Sequence, residues 1–115
     1  MTFLEAALAM VISLTGSNWV APDNAHQNVQ FKTSQIVGSA GCNQFMGSYK
    51  QNDGSINVGN LAKTRKACAP SVMLQESKFL AQLENSKQVE MTDNTLVLKD
   101  AAGAVLITLN RKDLG

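Results

Sequence analysis

Hydrophobic positions in this chain change period three times, and those changes mark its elements. Phe3, Leu4, Ala7, Leu8 and Val11 recur at helical spacing, so the pattern predicts an amphipathic helix over residues 1–14. Thr2 and Glu5 stand in the arrangement of a capping box at its start. A secretory signal is the rival reading, but it needs an early positive charge, and the only early charge is Glu5. Thr15-Gly16-Ser17 ends the helical period. From there the pattern alternates in twos: a short strand over Asn18–Ala21, a turn at Pro22-Asp23-Asn24, and two antiparallel strands between Asn28 and Gly38. Val29 and Phe31 share one face of the first of these.

The next stretch, Gly41 to Tyr49, puts Phe45, Gly47 and Tyr49 on one face and Met46 and Ser48 on the other. Gly47 inside a strand signals a bulge or a close backbone approach. Asn52-Asp53-Gly54 is a hairpin turn, and the return strand runs Ser55–Gly59 with Ile56 and Val58 inward. Asn60–Ala69 reads as a connection. Helical period returns at Pro70, whose missing N–H suits a first helical position. Val72, Met73, Glu76, Phe79, Leu80 and Leu83 form its stripe, and Asn85 is a stop in the left-handed region. A meander closes the chain: Gln88–Thr92, Thr95–Lys99 with Leu96 and Leu98 inward, then Ala104–Asn110 with Val105, Ile107 and Leu109 on one face. Short strands at turn-spaced intervals predict a mainly β (α+β) fold, a small antiparallel barrel or sandwich with one packed helix and an N-terminal helical arm.

Length and charge narrow the picture. A chain of 115 residues is one domain, here divided into an arm at 1–14 and a globular unit at 15–115. Net charge is +1, so no field favours nucleic acid or an anionic membrane. No apolar run reaches the roughly 18–20 residues needed to span a bilayer. Cys42 and Cys68 are the only cysteines. They are a disulfide in an oxidising compartment or two free thiols in a reducing one; a disulfide at this separation stabilises by about 3 kcal/mol.

Candidate chemistry is sparse. Zinc needs more ligands than two cysteines and His26 provide. A thiol nucleophile needs a base, and His26 has no evident orienting partner. Ser39-Ala40-Gly41-Cys42 imitates a lipid-attachment site but lies between strands. Asn43 reads as a turn residue bonding nearby main chain, and Thr64 as a hydroxyl that ties down its loop. The carboxylates are scattered, with no pair spaced for acid–base work. Lys63, Arg65 and Lys66 form a basic loop cluster, a candidate contact for an acidic partner. These readings predict no cofactor, no metal and no enzymatic activity.

One constellation is more specific. Trp19 is followed by Gly41-Cys42-Asn43-x-Phe45-x-Gly47-x-Tyr49, then by Thr64-x-x-Ala67-Cys68, a helix with Glu76, Phe79 and Leu83, and Leu96-x-Leu98-x-Asp100. This order resembles the META domain family, the HslJ-like heat-shock and envelope proteins, over Leu14 to Arg111. The resemblance implies a small barrel-like fold with one helix. It implies a bacterial envelope location, periplasmic or anchored through an upstream signal, and a link to heat stress and antibiotic tolerance. It carries over no catalytic residue. Two departures stand out: the N-terminal arm is outside the family pattern, and the loop between Trp19 and Phe31 is short. The function expected is a monomeric binding module for a protein or small apolar ligand; the alternative is a small periplasmic inhibitor of a cell-wall hydrolase or protease.

Overall fold

Alternating apolar residues need a surface to face, and here eight of the nine described strands bend round to face one another, the ninth, a short one, adding to the side of one of them. The computed structural model describes residues 13–112; all but the last two residues of the arm expected over 1–14 lie outside the described ones. The strands are β1 (Asn18–Ala21), β2 (Asn24–Phe31), β3 (Gln35–Ala40), β4 (Gln44–Asn52), β5 (Ser55–Val58), β6 (Ala62–Lys63), β7 (Gln88–Met91), β8 (Thr95–Lys99) and β9 (Val105–Arg111). One helix, α1 (Pro70–Glu84), lies between β6 and β7. Strand order is β3-β2-β1-β9-β8-β7-β5-β4, and β3 pairs again with β4, so the antiparallel sheet closes on itself. Closure removes the exposed edges that a small sheet would otherwise present.

The inward faces are those the alternation marks. Trp19, Val29, Phe31, Ile36, Phe45, Tyr49, Ile56, Val89, Leu96, Leu98 and Leu109 are all buried. Phe31 and Tyr49 meet edge to face at 5.1 Å between ring centroids. Trp19 is the core anchor expected of it: its indole N–H donates to the Ser17 hydroxyl at 2.8 Å, and the Arg111 guanidinium lies 4.4 Å over its ring.

Closure is uneven. β8 and β9 share five register pairs, whereas β5 and β7 share one, Ser55 with Gln88. Two backbone bonds flank that pair, Ile56 N–H to Lys87 O and Val89 N–H to Gly54 O. The helix and β4 reinforce the barrel. Phe79, Leu80 and Leu83 of α1 are buried, and Phe79 stands edge-on to Phe45, 6.2 Å away. β4 serves three partners: β3 along one flank, and β6 then β5 along the other. Gly47 explains how. A Cβ there would lie 2.6 Å from the Leu61 side chain, so the glycine permits the close approach rather than a bulge.

Several boundaries differ from the sequence pattern. β2 starts at Asn24, because Pro22-Asp23 alone make the turn. The added residues Asn24–Gln27 are exposed or half-buried throughout, so no alternation announces them. β6 is too short and too exposed to show a period. α1 ends with Asn85 right-handed (φ −89°, ψ 0°), not left-handed. The stop is made by buried Ser86, whose backbone N–H donates to Leu83 O and whose hydroxyl donates to Gln82 O. On β9 a register shift beside Lys99 pairs that residue with Val105. Val105 is consequently 58% exposed, while Leu109, expected to share its face, is fully buried.

Leu14 is the last residue of the expected arm and a full member of the barrel core, with no exposed surface. Its N–H donates to the Gln51 side chain near the C-terminal end of β4. Leu14→Ala should lower unfolding free energy by roughly 2–5 kcal/mol, as large-to-small changes at packed sites do. Urea denaturation measures this; a loss under about 1 kcal/mol would show that Leu14 does not seal the barrel end.

Candidate functional site

The turn between β3 and β4 is where the chain concentrates its polar chemistry. Gly41 takes φ 129°, a left-handed conformation open to glycine at little cost. The turn leaves the backbone N–H groups of Cys42 and Asn43 side by side, and such paired donors make an anion seat. Here the anion is supplied from within. Glu76, on the buried face of α1, has no exposed surface. Its Oε1 accepts from Asn43 N–H at 2.6 Å and Cys42 N–H at 3.0 Å. Its Oε2 accepts from Asn43 Nδ2 at 2.8 Å and from Lys63 Nζ at 3.2 Å.

Asn43 completes the knot. Its Oδ1 accepts from the Thr64 hydroxyl at 2.8 Å and from Lys66 N–H at 2.6 Å. Its Nδ2 also donates to Lys66 O at 3.2 Å. Asn43 thus bonds main chain, but that of a loop 23 positions away rather than its own turn. Thr64 ties down its loop as expected, accepting from Gln44 N–H through Oγ1 at 3.1 Å. The disulfide is formed: Cys42 and Cys68 are bridged, with Cα atoms 6.1 Å apart. One short turn is therefore joined to the helix by a carboxylate, to the loop by an amide, and to the helix approach by a covalent bond.

The motif residues divide between two roles. Gly41, Cys42, Asn43, Thr64 and Cys68 come together in this knot. Trp19, Phe45, Gly47 and Tyr49 belong to the barrel wall and core. Tyr49 donates its phenol to Lys32 O at 2.5 Å. The basic cluster is split: Lys63 turns to Glu76, while Arg65 and Lys66 remain exposed. Glu76 as the centre of the knot was missed, although a carboxylate on the apolar stripe of a helix was the available signal.

Beside the knot an open groove of about 660 Å³ runs over the outer face of β2, β3, β4 and β6. Register places its lining residues. Val37 lies opposite Met46, and Met46 opposite Ala62. Asn28, Ser39 and Gln44 align in the next row, extended by Thr64. Lys32 and Lys63 also line it. Met46 is 52% exposed, an uncovered apolar side chain flanked by amides and hydroxyls. The volume falls within the roughly 300–1,000 Å³ typical of small-molecule sites.

The family model of the META domain matches residues 10–113. The chain belongs to the META domain family. Three solved structures are similar to it. An NMR structure of a protein from Burkholderia xenovorans shares 27% identity with a TM-score of 0.68, covering 86% of this chain and 83% of that one. A second NMR structure shares 26% identity at a TM-score of 0.63, covering 89% and 95%. A DUF4847 family protein from Bacteroides vulgatus, at 21% identity and TM-score 0.61, covers 79% and 64% and is alike in fold. No curated protein matches this chain. Within this META domain, no cluster of three or more His, Cys, Asp or Glu among the described residues could hold a metal ion. No helix among them is long and apolar enough to cross a membrane.

The electrostatics of Glu76 give a pH signature. Burial alone would raise its pKa. The hydrogen bonds from Asn43 and Lys63, with the Lys63 charge, outweigh burial and hold it below the ordinary 4.5. A depressed folded pKa means stability that is complete above the unfolded value and is lost as pH falls through the folded one. Glu76→Gln should therefore lower stability at pH 7 by about 1.5–3 kcal/mol. The gap from wild type should close as pH falls well below 4.5. Denaturation curves at neutral and acidic pH measure this; a gap independent of pH would rule out ionisation as the stabilising feature.

Proposed function

We propose that this META domain is a non-enzymatic binding module of the bacterial envelope, serving stress or antibiotic tolerance by holding a small amphipathic anion in the outer groove. The observation that carries the reading is the groove's composition. An exposed methionine sits between Val37 and Ala62, beside a row of amides and hydroxyls. Such a surface matches a ligand with an apolar chain and a polar head. Lys32 at the rim favours a negative head group.

Two features support binding rather than catalysis. Both oxygens of Glu76 are already occupied by donors, leaving the carboxylate poorly placed to move a substrate proton. The cysteines are joined to each other, and a bridged sulfur is not a thiolate nucleophile. The bridge also suits an oxidising compartment, in keeping with the envelope setting that the HslJ-like resemblance implies.

Decanoate provides a direct test. Titrated into ¹⁵N-labelled protein, it should shift amide resonances of Lys32, Val37, Gln44, Met46, Ala62 and Thr64 saturably. Met46→Asp should weaken binding by about tenfold or more, equal to about 1.4 kcal/mol, and Lys32→Glu by a smaller factor. Shifts scattered over the barrel, or none at millimolar decanoate, would overturn the reading.

A further inference from the structure

One wall of the groove is held in an unusual way. Ala62, Lys63 and Thr64 form that wall, and every residue from Ala62 to Ala69 is exposed. Little apolar burial fastens it. Its ties run almost entirely to the β3–β4 turn and the start of β4. They are two register pairs with Phe45 and Met46, the Thr64 bonds to Gln44 and Asn43, the Asn43 grip on Lys66, and the bridge to Cys42. Lys63 adds its pair with Glu76. The Thr64–Gln44 bond is exposed and the bonds to Asn43 and Glu76 are part-buried, so water competes for their wall ends and lowers their net contribution. The disulfide is the covalent tie, and its Cys68 end is exposed to reagents in solution. The helix that follows keeps anchors of its own: Phe79, Leu80 and Leu83 are buried, and three of the four donors to Glu76 belong to Cys42 and Asn43 of the turn, with only Lys63 on the wall.

We propose that the Cys42–Cys68 bridge is a redox latch on this wall, so that an external dithiol governs ligand binding; this rests on the groove being the binding site. A thiolate of the dithiol attacks one bridge sulfur, forming a mixed disulfide and expelling the other cysteine as thiolate. The second thiol of the reagent then closes its own disulfide. Two electrons and two protons have passed to the protein, leaving two cysteine thiols. The wall from Ala62 to Cys68 then loses its covalent end and lifts from β4, while barrel and helix stay folded. Without Ala62 and Thr64 the groove has a floor and no side.

Wild-type protein, oxidised and after dithiothreitol, and the Cys42→Ser/Cys68→Ser variant are compared by NMR. In the oxidised form Met46 and Ala62 should show a cross-strand NOE. In the reduced form and the variant that NOE should vanish and order parameters over 62–68 should fall below about 0.6, while Phe31–Tyr49 NOEs persist. Decanoate affinity should drop about tenfold or more. Reduction should accelerate linearly with dithiothreitol, because attack needs no prior unfolding. An ordered wall or unchanged affinity after reduction overturns the latch. So does loss of the core NOEs, since the bridge would then staple the whole barrel, and so does a reduction rate that levels off. If neither form binds decanoate, the binding reading fails, and the order of the wall still decides whether the bridge holds it.

Discussion

A carboxylate with no exposed surface is the constraint on which this structure turns. Removing an ionised carboxylate from water costs several kcal/mol unless donors replace the lost hydration. Glu76 recovers four donors, and they come from the β3–β4 turn and from the loop that carries β6. The helix can pack its apolar stripe only if that turn presents paired N–H groups to it. The turn does so through the φ of Gly41 and the side chain of Asn43. Helix and turn therefore depend on each other's placement, since three of the four donors come from the turn, and the loop contributes the fourth through Lys63.

This arrangement meets a weakness of the barrel. A small closed sheet must bring distant strands together, and here β5 and β7 meet through a single register pair. The α-helix covers core residues near that junction, and its position is set by Glu76 at one point and by Glu84 at another, where Oε2 accepts Leu61 N–H at 2.8 Å. Carboxylates of α1 thus hold Leu61 and Lys63, in the first half of the segment leading from β5 to the helix. The disulfide ties the far end of that segment at Cys68. Polar chemistry that resembles an active site by its density is accounted for, group by group, as fastening. The open groove lies next to it, on the outer face of the sheet, where side chains point away from the core.

Much of the fold was legible along the chain. Alternation marked the inward residues of β2, β4, β5 and β8 because each strand has one dry and one wet face, and a period of two follows from that alone. The failures share a cause. Asn24–Gln27 has no dry face, β6 is two exposed residues, and Val105 sits beyond a register shift that turns it outward. The site was legible only in its residue types. Cys42, Asn43, Thr64 and Cys68 carried the family resemblance, yet Asn43 was read as serving its own turn. Its partners at Thr64 and Lys66 are remote in sequence, and spacing says nothing about contacts made across a closed sheet.

What the sequence determined by itself was therefore local and periodic: the mainly β class, the helix with its Pro70 start, the Asn52-Asp53-Gly54 hairpin, the core anchored on Trp19, and the family. Each follows from backbone preference or from the side-chain period of a single element. Tertiary structure decided whether Cys42 meets Cys68, where Glu76 finds its donors, which strands close the barrel, and that Val37, Met46 and Ala62 line one groove. Those outcomes depend on register between strands far apart in the chain, a property of pairs of elements that no single element encodes.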